Sequence, residues 1–167
     1  MNLVAGVTLA FALMLTPKST ATVEVPNVEL LEMKEVVTES VEESALPEDF
    51  EYFCQCVEAE AGDQDYLGKC YVADVILNRL EQWKLDSLTE VINQKTPKGS
   101  HYQFEVVENG RINYVKVTDE TRKACREELN GRKNTEILYF CMYDWFSGWA
   151  KFCFKYGDHY FYKEKTK

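Results

Sequence analysis

The chain has 167 residues, 46% of them hydrophobic, and its 28 acidic against 19 basic side chains give a formal net charge of −9, which allows one globular domain of ordinary size. Ten of the acids fall between Thr22 and Glu51 against the single base Lys34, whereas Tyr52 to Lys167 holds 18 acids and 17 bases. The part expected to fold is therefore close to neutral and has no basic stripe, which excludes nucleic acid as a natural partner.

From Leu3 to Leu15 the chain is apolar apart from Thr8, and the small polar stretch Ser19-Thr20-Ala21 follows. Residues 1–21 read as a signal peptide, its apolar run being shorter than the roughly 20 residues of a membrane span. The expected location is secreted or cell-wall associated; kept uncleaved, the same segment would tether the domain to a membrane. Residues 22–47 read as a solvated acidic tether, and residues 48–167 as the folded domain.

Pro47-Glu48-Asp49 opens a helix with proline at its start and acids near the positive end of its dipole. Phe50, Phe53, Cys54, Val57 and Ala61 then recur at helical spacing, and Gly62 ends the helix. A second helix is predicted from Asp65 to about Trp83. Val72, Ala73, Val75, Ile76, Leu77 and Leu80 cover most of its circumference, which makes it central and buried. Ser87 and Glu90 form a capping-box pair for a short helix through Ile92, and Lys95 to Ser100 is a polar loop.

Phe104–Val107 and Ile112–Val117 flank Asn109-Gly110, a pattern that predicts a β-hairpin. Thr118-Asp119 caps a helix that runs to Asn130 and stops at Gly131. Glu136 to Lys163 alternates aromatic and polar residues around Ser147-Gly148 and Gly157-Asp158, which predicts two or three short strands. The expected class is α+β, a helical core with a small antiparallel β region. Six cysteines (Cys54, Cys56, Cys70, Cys125, Cys141, Cys153) in an exported chain predict disulfides, with Cys141–Cys153 the preferred pair; the alternative is small buried hydrophobes.

Glu60 is the polar residue of most chemical interest. At about 100° per residue it falls beside Phe53, at the edge of the apolar face and in the last turn. A carboxyl there, partly out of water and at the negative end of the helix dipole, has its pKa raised, as general acid catalysis near neutrality requires. Glu58 lies roughly 160° further round, so the two do not form a facing pair. From spacing alone the plainer reading is a solvated glutamate.

A resemblance begins at this residue. Ala59-Glu60-Ala61-Gly62, Tyr66-Leu67-Gly68-Lys69 and Val72-Ala73-Asp74-Val75-Ile76-Leu77-Asn78-Arg79 resemble the signature of the SleB/CwlJ family of cell-wall hydrolases. Gln103-Phe104, Arg126-Glu127-x-Leu129-x-Gly131, Ile137-Leu138-Tyr139-Phe140 and Gly157-Asp158-His159-Tyr160-Phe161-Tyr162 are similar to its later blocks, in order. Two departures stand out: Gly62-Asp63-Gln64-Asp65 where Gly-Glu-Pro is usual, and Glu105 where a small residue is commoner.

The resemblance implies a compact lysozyme-like α+β domain that cuts peptidoglycan glycan strands between N-acetylmuramic acid and N-acetylglucosamine, with Glu60 as catalytic residue. As a lytic transglycosylase it would protonate the glycosidic oxygen from Glu60, then use the carboxylate to take the C6 hydroxyl proton as a 1,6-anhydro ring closes. Gln103 and Tyr139 would bond acetamido groups or pack on sugar rings, Phe104 would offer a stacking surface, with core packing the alternative for Tyr139 and the plainer reading for Phe104, and His159 would orient a strand or touch substrate. Asn78 and Arg79 read as structural. The partner is the glycan strand, the expected state a monomer, with no cofactor and no metal.

Four rival readings remain. A hydrolytic muramidase needs a second carboxylate, for which Asp63 and Asp65 are near in sequence but read more simply as helix caps. A zinc amidase or peptidase would have only His101 and His159, and a cysteine peptidase would pair a thiol with His159. A non-catalytic wall-binding module would use the aromatic tail and give Glu60 no special role.

Overall fold

The computed structural model describes residues 46–144 and 148–165. The predicted signal peptide and the acidic tether as far as Ala45 lie outside the described residues. Among those described, no helix is long and apolar enough to cross a membrane.

Helix α1 (Phe50–Ala61) and helix α2 (Tyr66–Gln82) form where the hydrophobic spacing places them. Asp65 caps α2 by accepting a bond from Gly68 N at 2.9 Å. Phe53, Cys54, Val57, Val72, Val75 and Ile76 are fully buried where the two helices meet; each such large apolar side chain contributes about 1.5–3 kcal/mol. A short α3 (Leu88–Ile92) starts at Ser87, whose hydroxyl accepts from Glu90 N. The Glu90 carboxylate reaches back to Asp86 N, one residue beyond the usual capping-box partner.

The predicted hairpin around Asn109-Gly110 does not form. Glu105–Glu108 is one helical turn, α4, and Arg111–Asn113 is a 3-10 turn. Gly110 takes φ 76° between them, and Asn109 Oδ1 accepts from Arg111 N at 2.9 Å. The dipeptide does mark a left-handed turn, but it joins two helical turns, because Phe104, Val106 and Ile112 all bury in the core at a spacing that α4 and the 3-10 turn supply.

Helix α5 (Asp119–Asn130) is capped by Thr118 and packs on α1 and α2. Strands β1 (Tyr139–Cys141), β2 (Ala150–Tyr156) and β3 (His159–Glu164) make an antiparallel sheet in the order β1-β3-β2. Tyr139 faces Tyr162 and Phe140 faces Phe161, and a bulge separates Phe152 from Phe154. Tyr71 of α2 seals sheet to helices, with its ring 4.9 Å from Phe154 and 5.5 Å from Phe161. The expected α+β class is observed.

The sheet order overturns the preferred disulfide. Cys141 is on β1 and Cys153 on β2, with β3 between them, so their backbones are about two strand spacings, roughly 10 Å, apart, beyond the reach of a disulfide. All six cysteines are free thiols; Cys54, Cys56, Cys70 and Cys125 are buried, as the alternative reading expected.

Loops fix the sheet against the helices. Asn78 Nδ2 donates to the carbonyls of Asn134 (2.9 Å) and Ile137 (2.8 Å), and Arg79 Nε donates to Leu138 O at 2.7 Å. These bonds set where β1 begins. The hairpin tip is tied to the α1–α2 loop: Asp158 N donates to Gln64 Oε1, Gln64 Nε2 donates to Asp158 Oδ2, and Tyr156 donates its hydroxyl to Asp65. Gly157, at φ 51°, lets Gln64 approach the turn so closely that a Cβ there would lie 2.1 Å from Gln64 Oε1.

Candidate active site

The last turn of α1 brings Glu60 to the wall of a cavity of about 460 Å³, whose lining includes Arg79, Gln103, Glu105, Arg111 and His159. The carboxyl is half-buried. Burial lifts its pKa from 4.5 to about 7, with Glu105 adding to the rise; the Val106 backbone N–H, Arg111 and Arg79 pull the other way. A carboxyl poised there holds its proton in about half of the molecules at neutral pH and can give it up to a leaving oxygen.

A second cavity of about 680 Å³ adjoins the first, with Trp83, Tyr102, Tyr139 and Trp149 in its walls. Arg79, Gln103 and Phe140 line both. The two form a groove with the Glu60 carboxyl in one part and ring faces in the other. Its rim over residues 94–103 is braced by backbone bonds from Gln103 N to Gln94 O and from Thr96 N to His101 O.

Four other residues were expected here. Gln103 lines both cavities and donates from Nε2 to Gln94 Oε1 at 3.2 Å. Tyr139 packs edge-on against Trp149 at 4.8 Å in the aromatic cavity, and its hydroxyl donates to Glu164. Phe104 is 1% exposed, a core ring whose edge reaches the Glu60 cavity. His159 is buried against Phe140 and Phe161 at the cavity wall, and burial lowers its pKa. Its Nδ1 has no hydrogen-bond partner among the described residues. Asp65 caps α2 and Asp63 binds Gln64; neither lines the Glu60 cavity.

Arg79 and Glu105 are among the wall residues that the sequence reading did not place at the site. Arg79, read as structural, is buried between the cavities with Phe104, Trp83 and Tyr139 rings around its guanidinium. The available signal was a permanent charge on a helix apolar nearly all round. Glu105, noted as a departure, is a second carboxylate on the Glu60 cavity.

An α+β domain with a proton-holding carboxyl in an aromatic groove has the form of a polysaccharide-cleaving enzyme. The chain belongs to the cell wall hydrolase family, whose model matches residues 63–162, beginning just after Glu60. Its structure is similar to the catalytic domain of the germination-specific lytic transglycosylase SleB from Bacillus anthracis, with 28% identity and a TM-score of 0.57 over 71% of this chain and 98% of that one. No curated protein matches the sequence.

Proposed function

We propose that this protein cuts peptidoglycan glycan strands between N-acetylmuramic acid and N-acetylglucosamine as a lytic transglycosylase, with Glu60 as acid and then base. The observation that carries this is the Glu60 carboxyl, half-buried in the groove and lifted to about 7. Protonated, it gives its proton to the glycosidic oxygen as the bond to the muramic C1 breaks. As a carboxylate, it removes the proton from the muramic C6 hydroxyl, whose oxygen closes on C1. The acid is restored and no water is consumed. The aromatic cavity supplies ring faces for neighbouring sugars, and likeness to a lytic transglycosylase catalytic domain supports the same reading. The substrate places its action outside the cytoplasm, at the cell wall.

Glu105 favours a second reading. A carboxylate sharing the cavity with Glu60 is what a hydrolytic muramidase uses to activate water or to attack C1. Digestion of vegetative and cortex peptidoglycan by the full chain and by its Glu60→Gln variant, read by mass spectrometry, separates the two. The expected products carry 1,6-anhydromuramic acid and fall at least about 100-fold with the variant. Reducing muramic ends instead would select hydrolysis through Glu105, and no cleavage of either wall would leave a wall-binding module.

A further inference from the structure

Arg79 is 4% exposed. A guanidinium has five N–H donors and stays charged under all ordinary conditions. Among the described residues this one makes a single hydrogen bond, from Nε to Leu138 O at 2.7 Å. Its Nη1 is buried without an acceptor, and none of the salt bridges among the described residues involves it. Its close neighbours are ring faces, Phe104 at 4.8 Å, Trp83 at 5.3 Å and Tyr139 at 5.4 Å, which attract the charge but do not satisfy the N–H groups. Burial lowers its pKa to about 10. Buried charges are ordinarily paired or fully hydrogen-bonded.

The position gives this arginine something to do. It stands in the wall common to the Glu60 cavity and the aromatic cavity, so a chain of sugars running from one to the other passes over it. We propose that Arg79 is a positioning residue: its guanidinium takes a carbonyl oxygen of the sugar lying across that wall and so fixes which glycosidic oxygen reaches Glu60. This rests on the glycan-cleaving reading above. The carbonyl belongs either to an acetamido group, present on every ring, or to the lactyl side chain, present on the muramic rings alone. A lactyl carbonyl would set register, because it occurs on every second sugar.

Charge gives a second readout. Glu60 is faced by Cys56 of its own helix, Arg79 of α2, Glu105 of α4, Arg111 of the 3-10 turn and His159 across the cavity. Removing the Arg79 cation raises the Glu60 pKa further and moves the alkaline fall in rate to higher pH.

The test uses the full chain, its Arg79→Gln and Arg79→Lys variants, and soluble glycan strands prepared from peptidoglycan. Arg79→Gln is expected to raise KM about tenfold, the loss of one charge-assisted hydrogen bond, with a smaller change in kcat and with the alkaline limb displaced upward. Arg79→Lys keeps the charge and loses the planar fork, so it restores the limb but not KM. Folded variants with unchanged KM and limb overturn the proposal and leave the cleavage reading standing; no cleavage of any strand by the parent chain removes both.

A second measurement does not depend on the variants folding well. In Glu60→Gln protein, the Arg79 Nε–Hε resonance is followed as strands or N-acetylglucosamine hexamer are added. A shift with both supports an acetamido contact and a shift with strands alone a lactyl one, whereas no shift with either overturns the assignment.

Discussion

Glu58 and Glu60 stand two residues apart on α1 and titrate in opposite directions. Burial alone would lift Glu58, but bonds from the Thr121 hydroxyl and from Thr118, at 3.0 Å from N and 2.8 Å from Oγ1, outweigh it and hold its carboxyl below the ordinary value. Glu60 has no such set of hydroxyls and rises to about 7. One helix thus carries a structural carboxylate that joins it to the start of α5 and a proton-holding acid that faces the groove.

On the proposed mechanism the reaction starts from protonated Glu60, so the rate of strand cleavage is expected to fall as pH rises through about 7. Stability obeys the same shift. Between 4.5 in the unfolded chain and about 7 in the folded one, the folded state holds the extra proton, so stability declines as pH rises across that window. Glu60→Gln removes the decline and is expected to gain on the order of 2 kcal/mol on the parent at about pH 8. Urea melts at acid and alkaline pH check this, and equal pH dependence in the two proteins would falsify it.

Glu58→Ala is expected to cost about 2–4 kcal/mol, because Thr118 N and two hydroxyls lose a buried acceptor. A depressed carboxyl contributes stability above its unfolded pKa and loses it as pH falls through the folded value. The gap between parent and variant therefore narrows in acid below about 4.5. Denaturant midpoints from neutral to acid pH read it directly, and a gap that stays constant would mean that Glu58 contributes through packing alone.

Asp74 of α2 and Glu128 of α5 are both buried, and each has one carboxyl oxygen without a hydrogen-bond partner. Burial first, and Glu128 beside it second, push the Asp74 carboxyl well above its ordinary range. The folded state retains that proton as pH climbs from 3.8, so the parent loses stability across the window and is weakest in alkali. Asparagine has the shape of the protonated acid, accepting from Asn134 N as Asp74 does while donating towards Glu128. Asp74→Asn is thus expected to melt higher than the parent at alkaline pH; a lower melting temperature there would show that the pair does not share a proton.

Legibility followed the range of the forces involved. Helices α1, α2 and α5 and their caps at Asp65 and Thr118 are local matters of period and hydrogen bonding, and they were readable. Asn109-Gly110 announced a turn, but which elements it joined depended on Phe104, Val106 and Ile112 meeting distant core residues. Glu60 showed as an edge residue on a wheel, and the resemblance made it a candidate. Arg79 did not show, because its lack of a carboxylate partner depends on neighbours contributed by β1 and by residues far along the chain. The Cys141–Cys153 pair failed for a similar reason: strand order inside a sheet is not written in either strand.

The ties among Gln64, Asp65, Tyr156 and Asp158 have a dynamic consequence. They join the segment just after Glu60 to the hairpin that carries His159, and Gly157 admits the close approach that the joint needs. The part of the Glu60 cavity wall that His159 supplies is therefore braced from behind by the loop that follows α1. For the glycan strand proposed above, that stretch of wall would be in place before the strand arrives.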